Sequence, residues 1–283
     1  MSKFSFVVLH YNHFRATEEC VNSLIKLNPF KIIIVDNGSK NRDGVTFKKI
    51  YKDFRCIDIV TNKTNQGYAR GFNQGYQHAK VLNSDFIMFL NNDTTIEQKD
   101  FIDIIEEEYN KRKFDIAGPD IISGLEHQNP FKSRYRKPWR MRMGILLWWI
   151  EDKTNCSIVA DVFDIIRQSI KFFHKKRKVA KDDLDNVSLH GAAIIFSKYF
   201  IDNFEGLYGG TFLYFEEIIL DYFVKLYALK TSYINKAKVY HTGSLETKNT
   251  TGDEKQRRST KHKYMLESGI EYLKIRRNKW ALD

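Results

Sequence analysis

Glu216 and Glu217 are adjacent acids in the string Tyr214-Phe215-Glu216-Glu217, and the apolar Ile218-Ile219-Leu220 follows at once. Flanked in that way, at least one carboxylate should be partly desolvated, which raises its pKa toward the range of a general base. The same pattern suits a helix N-terminus, where the helix dipole favours acidic residues. Asp93 ends a second polar string, Asn91-Asn92-Asp93. A carboxylate there could hold Mg2+ or Mn2+ together with substrate phosphates and water, and by itself it reads equally as part of a polar loop. His241, in Val239-Tyr240-His241-Thr242-Gly243, has the chemistry of a metal or phosphate ligand and also that of a structural histidine.

Two further clusters have the chemistry of binding. Asp36-Asn37-Gly38-Ser39 offers a carboxylate and an amide that could hydrogen-bond a base edge or a ribose hydroxyl, and it is equally the composition of a turn. The stretch from Asn65 to Gly75 (NQGYARGFNQG) places small residues where backbone can approach a ligand, or where a helix packs closely on a sheet. Its spacing is not that of the dinucleotide fingerprint.

These residues need elements to hold them. Short β-branched runs at Phe4 to Leu9, Lys31 to Val35, Cys56 to Thr61 and Asp85 to Leu90 alternate with helical patterns around Thr17 to Leu27, Tyr68 to Leu82 and Asp100 to Lys111. Such alternation predicts an α/β fold with a mostly parallel central sheet and helices on both faces. Ligands of such sheets sit beyond the carboxyl ends of the strands, which makes the residues after Val35 and Leu90 the first suspects. After Gly118 the pattern degrades into Pro, Gly and basic residues. It resumes with a buried strand at His190 to Phe196 (HGAAIIF), a helix from Ile218 to Leu229 and a terminal helix from Lys261 to Arg276.

The 283 residues carry 46 Lys and Arg against 35 acids, a formal charge of +11 that favours anionic partners. Lys132 to Arg142 and Lys171 to Lys181 interleave that charge with aromatic and aliphatic residues, as membrane-surface segments do and as a solvated basic face also can. The apolar run Met143 to Ile150 is far shorter than the roughly 18 residues of a spanning helix. Three dispersed cysteines suggest neither a disulfide framework nor a zinc knuckle, so a reducing cytosol is expected. The start, MSKFSFVVLHYN, lacks the apolar region and cleavage site of a signal peptide.

In their order, the strings VVLHYN, IIIVDNGS, NQGYARGFNQG, FLNND, HGAAIIF, FLYFEE and VYHTGS resemble the family 2 glycosyltransferases, and most closely their rhamnosyltransferase-like branch. The resemblance implies a GT-A type nucleotide-binding fold over residues 1–246, with a basic aromatic insertion at about 130–182 and a polar, helical extension at 247–283. It implies a nucleoside-diphosphate sugar donor and a divalent metal, Mg2+ or Mn2+. On the family's pattern His10 and Tyr11 lie where the first strand approaches the nucleotide, and Asp36 and Asn37 where the base is read. Asn65, Gly67, Gly71 and Asn73 border the ribose and diphosphate, and Asn92 is grouped with them. Asp93 falls at the last position of the D-x-D-like metal motif, and His241 at a late position that faces metal or diphosphate.

Two departures stand out. The first position of the metal motif is Asn91, and the acid that many relatives carry two residues after the catalytic pair is replaced by Ile219. The general base is therefore expected at Glu217, with Glu216 second and supporting the site through hydrogen bonds. The expected reaction is an inverting transfer of a sugar, dTDP-L-rhamnose first and UDP-hexoses next, to a lipid-linked or cell-surface glycan at the inner face of the cell membrane. The rival is a GT-A-fold protein with impaired catalysis that binds membranes or nucleic acid. Against nucleic acid, the sequence shows no RNA-binding aromatic signature or helix-turn-helix. A nucleotidyltransferase would want a basic phosphate-gripping loop where His10-Tyr11-Asn12 stands.

Overall fold

A computed structural model of the chain describes residues 2–131, 141–146, 149, 182–242 and 254–278. The β-branched runs become β1 (Phe4–His10), β2 (Lys31–Asp36), β3 (Ile57–Thr61) and β4 (Phe86–Asn91), which pair in parallel in the order β3-β2-β1-β4. Helices α1 (Phe14–Ile25), α2 (Asp43–Ile50) and α3 (Tyr68–Val81) connect them. Register puts His10 beside Asp36 and Leu9 beside Asn91, so the polar residues after three neighbouring strands share one edge of the sheet.

The second half adds β5 (Thr94–Thr95), α4 (Phe101–Arg112), β6 (Ile116–Ser123), β7 (Glu126–His127), β8 (Leu184–Asp185), β9 (Ala193–Ser197), α5 (Lys198–Asn203), α6 (Glu216–Leu226), β10 (Thr231–His241) and α7 (Glu254–Asn278). Among the described residues the sheet has ten strands and runs β3-β2-β1-β4-β9-β6-β10-β5, with β7 and β8 on side branches. It is mostly parallel, as the alternation predicts, and β9 is antiparallel to both β4 and β6.

Each face of the sheet carries a core. Phe6, Val8, Ile32, Ile34 and Met88 pack under α1 and α4, while Val7, Ile33, Val35, Ile87 and Phe89 pack under α3 with Phe72 and Tyr76. With both faces covered, these strands read as continuous apolar runs. Fully burying one such side chain contributes about 1.5–3 kcal/mol. Gly75 lets α3 approach: a Cβ there would lie 2.3 Å from Val7 Cγ1.

Three sequence expectations need correction, and one strand was not predicted. The degraded pattern after Gly118 is a strand, β6, which carries Gly118, Pro119 and buried Asp120. Pro119 fits because its partner β10 shifts register between Ile234 and Lys238, and prolines in sheets gather at such irregularities. β10 itself, TSYINKAKVYH, reads as polar, yet Lys238 Nζ sits 2.7 Å from the Asp120 carboxylate and neutralises it. The helix expected from Ile218 begins at Glu216, and the terminal helix is longer than Lys261 to Arg276. The basic aromatic segments lie outside the described residues, apart from 141–146 and 149.

A third cluster joins the C-terminal helix to the rest. Tyr272 and Ile275 of α7 pack with Met141 against Phe215, Ile219 and Phe223 at the start of α6. Tyr214 and Phe215 have φ of 69° and 72°, left-handed conformations that cost of order 1–3 kcal/mol each for bulky residues. Burial of Phe215 in this cluster helps to hold that turn.

Candidate active site

The strand ends and the start of α6 converge on Gly191, the residue leading toward β9. Its N–H donates to Glu217 Oε1 at 2.6 Å, and its carbonyl accepts from the Tyr68 hydroxyl at 2.8 Å. The same hydroxyl reaches Asn91 Oδ1 at 3.0 Å, so one tyrosine ties the end of β4 to the approach to β9. A Cβ at position 191 would lie 3.1 Å from Glu217 Oε1 and 3.4 Å from the Tyr68 oxygen. The small residues of HGAAIIF are thus used at close quarters. Farther along α6, the buried Asp221 accepts a hydrogen bond from Ser188 Oγ, which locks the helix to the same segment.

His190 Nδ1 lies 3.9 Å from Glu217 Oε1 and accepts the Ala192 N–H at 3.1 Å. Its ring stacks on Phe131 and sits 6.0 Å, centroid to centroid, from the ring of His241. His241 Nε2 in turn is 3.2 Å from Asp93 Oδ1. Glu217, His190, His241 and Asp93 therefore form a continuous row drawn from four segments distant in sequence. Expected residues Glu217, Asp93 and His241 are brought together; His190, Tyr68 and Gln128 join them without having been singled out. The one sequence signal for His190 is its place at the head of HGAAIIF.

Glu216 faces elsewhere. Burial pushes its carboxyl up to about 7, and its Oε1 is buried without a hydrogen-bond partner. That oxygen lends no hydrogen bond to the site.

The residues expected on the nucleotide side are tied into the protein by internal hydrogen bonds. Asp36 is buried and accepts the N–H groups of Ser39 at 3.0 Å and Gly44 at 2.8 Å, so it fixes the loop after β2 and caps α2. Asn37 donates to Asn65 Oδ1 and the Gly67 carbonyl and accepts from Asn62 Nδ2 and the Gln66 N–H, which occupies its amide fully. Asn65 also accepts from the Gly67 N–H. His10 is fully buried, with Nδ1 2.6 Å from Thr17 Oγ1 and Nε2 3.0 Å from Asp43 Oδ2. Burial lowers its pKa against the pull of Asp43.

The structure thus places His10 beneath the loop rather than at its surface, while Tyr11 is half-buried beside it. Gly67, at φ 84°, lets the chain pass the Phe212 carbonyl, which a Cβ would meet at 2.4 Å. Gly71 packs against Leu9 and Asn37. Asn73 clamps Leu207 through both its amide atoms, and Asn92 donates to Thr17 Oγ1 at 3.0 Å.

Sequence comparison decides the family. Residues 5–199, more than half of the chain, match glycosyl transferase family 2. The chain belongs to that family. No curated protein matches this family 2 glycosyltransferase in sequence. Among solved structures it is similar to residues 1–349 of S. aureus TarS, with a TM-score of 0.54 and 16% identity over 85% of this chain and 60% of that one. It is similar to GalNAc-T7 with UDP, GalNAc and Mn2+, with a TM-score of 0.57 and 13% identity over 85% of this chain and 44% of that one. It is also similar to the mannosyltransferase PcManGT from Pyrobaculum calidifontis in complex with GDP-Man and Mn2+, at 0.55 and 11% over 95% and 64%. At these identities the likeness is one of fold, and it places the sheet described above in the GT-A type. The chain spans less than two thirds of the length of each of these three proteins.

For a divalent cation the protein donors of this family 2 chain are few but suitable. Among the described residues no cluster of three or more His, Cys, Asp or Glu could hold a metal. Asp93 and His241 form a pair, and Gln128 Oε1 lies 2.7 Å from His241 Nδ1. With the Gln128 oxygen accepting a hydrogen bond from Nδ1–H, the neutral imidazole would present its Nε2 lone pair on the Asp93 side, where it could help that carboxylate hold a cation. A carboxylate and an imidazole fit Mn2+ or Mg2+ when diphosphate oxygens and water complete the shell.

Proposed function

We propose that this family 2 glycosyltransferase moves a sugar from a nucleoside diphosphate to a hydroxyl of a lipid-linked or cell-surface glycan, by one in-line displacement that inverts the anomeric carbon. The observation that carries this reading is the row Glu217–His190–His241–Asp93, which sets a positioned carboxylate beside a candidate diphosphate site. Glu217 takes the acceptor hydroxyl's proton as the oxygen attacks, and the Gly191 N–H orients its carboxylate for that transfer. A divalent cation held by Asp93 and His241 would stabilise the charge of the departing diphosphate. Asp36 and Asn37 serve the nucleotide by shaping the loops at the ends of β2 and β3, and their buried hydrogen bonds support that indirect role.

The motif resemblance favours dTDP-L-rhamnose as donor, with UDP-hexoses next. GalNAc-T7 with UDP and Mn2+ and PcManGT with GDP-Man and Mn2+ support a nucleotide sugar with a divalent metal. Among the described residues no helix is long and apolar enough to cross a membrane. The exposed Met143, Leu146 and Trp149, beside the basic segments of the sequence, support a peripheral location on an anionic surface at the cytoplasmic side.

The test is nucleotide release from a panel of dTDP-, UDP- and GDP-sugars with Mn2+ or Mg2+ present, with the anomeric configuration of the product read by NMR. Selective release from one donor and an inverted product are expected. A product with retained configuration, or no release from any donor, would contradict the reading.

A further inference from the structure

Between the start of α3, the loop before α6 and the C-terminal helix lies a cavity of about 390 Å3, within the ~300–1,000 Å3 range of small-ligand pockets. Gln66 and Arg70 line it from the start of α3, Thr211 and Phe212 from the loop before α6, and Ile270 and Lys274 from α7. Neither Glu217 nor Asp93 is among its walls. One residue nevertheless links them. The Tyr68 N–H donates to the Phe212 carbonyl at 2.8 Å, while the Tyr68 hydroxyl reaches Gly191, whose N–H holds Glu217.

We propose that this groove is a glycan subsite, which holds sugar residues of the acceptor next to the one that Glu217 deprotonates; the acceptor role rests on the function proposed above. Saccharides offer apolar C–H faces and a rim of hydroxyls. Phe212 stacks on Tyr264 at 4.9 Å and remains 36% exposed, and Ile270 is 41% exposed, so both walls present apolar surface. The polar groups between them are already positioned. Arg70 Nε donates to the Gly209 carbonyl at 2.6 Å, Gln66 Nε2 donates to Thr64 Oγ1 at 2.8 Å, and Lys274 pairs with Glu271 at 3.2 Å. Side chains ordered in advance lose less entropy when a ligand arrives.

Thr211, in the groove's wall, is 4% exposed and its hydroxyl has no hydrogen-bond partner, although buried polar groups are rarely left unpaired; a ligand hydroxyl meets that oxygen only if the side chain turns toward the groove. Charge argues against a phosphate, because Glu267 and Glu271 stand in the same walls as Arg70 and Lys274. A neutral polyhydroxylated chain suits such a balanced lining.

The test measures binding of linear gluco-, galacto- and N-acetylglucosamine oligosaccharides of defined linkage by saturation-transfer NMR, beside nucleotide-sugar affinity on the same samples. Wild type is expected to bind at least one oligosaccharide, and Ile270→Arg and Phe212→Ala are each expected to weaken that binding about tenfold or more, as the loss of a central contact does. Ile270→Arg lies on an exposed helical position, so it remains decisive if Phe212→Ala fails to fold. Unchanged oligosaccharide affinity in Ile270→Arg overturns the proposal, and so does a wild type that binds nucleotide sugar and no oligosaccharide. Groove-dependent oligosaccharide binding by a protein that takes no nucleotide sugar would support the subsite and contradict the transferase reading instead.

Discussion

The Gly191 N–H donates to Glu217 Oε1 at 2.6 Å, so the backbone approaching β9 aims the acid at the start of α6. Adjacent helical residues point about 100° apart, and the neighbouring Glu216 accordingly ends in a buried place with an unpaired oxygen. Two chemically identical side chains thereby receive different roles. Burial alone would have chosen Glu216 as the base, since its pKa is the raised one. The proposal of Glu217 rests on geometry instead, because of the two only its carboxylate stands in the row that leads to Asp93.

Glu216 gives that division a pH signature. Burial raises its carboxyl from 4.5 to about 7, so between those values the folded protein keeps a proton that the unfolded chain has lost. Stability then falls as pH rises through this window. Glu216→Gln removes the titration and should be more stable than wild type above neutrality, by at most ~3 kcal/mol, with the difference vanishing near pH ~4. Urea unfolding of both proteins across that range is the check; parallel curves would refute it.

Asp93 should matter to turnover more than to folding. It is partly exposed, and its side-chain contact is with His241. Asp93→Ala is expected to lose metal-stimulated nucleotide release by ~10²-fold or more, since a metal ion supplies several kcal/mol of charge stabilisation, with an unchanged urea midpoint. Full activity of that variant, or of wild type in excess EDTA, would remove the metal assignment.

The proposed membrane attachment should be electrostatic. Lys132 to Ile150 and Phe172 to Lys178 concentrate basic and apolar residues. Vesicles containing phosphatidylserine should retain the protein at low salt and release much of it at high salt, because attraction between surface charges is screened. Equal retention on neutral vesicles would contradict this.

Much of the parallel half of the sheet was legible because its strands are apolar on both faces and its helices repeat at 3.6 residues. β6 and β10 were not, because Pro119, Asp120 and Lys238 look like loop residues until the register shift and the Lys238–Asp120 ion pair bring them together. In the site, Asp93, Glu217 and His241 could be named from strand-end position and motif order. For His10, Asp36, Asn37 and Asn73 the structure adds what the sequence could not show. Their residue types suit ligand contact, yet their polar atoms are engaged inside the protein, and sequence carries no record of which bonds are already made. His190 was overlooked because its closeness to Glu217 arises from the meeting of β9's approach with α6, segments that share no sequence spacing.

The central claim, that Glu217 is the general base, rests on one paired measurement: kcat and donor Kd for Glu217→Gln and Glu216→Gln side by side. Removing a positioned base costs about 10²–10⁴ in rate, so Glu217→Gln should lower kcat by that amount with donor Kd nearly unchanged, while Glu216→Gln keeps most of its kcat. Near-normal kcat in Glu217→Gln together with a collapse in Glu216→Gln would contradict the account and exchange the two roles.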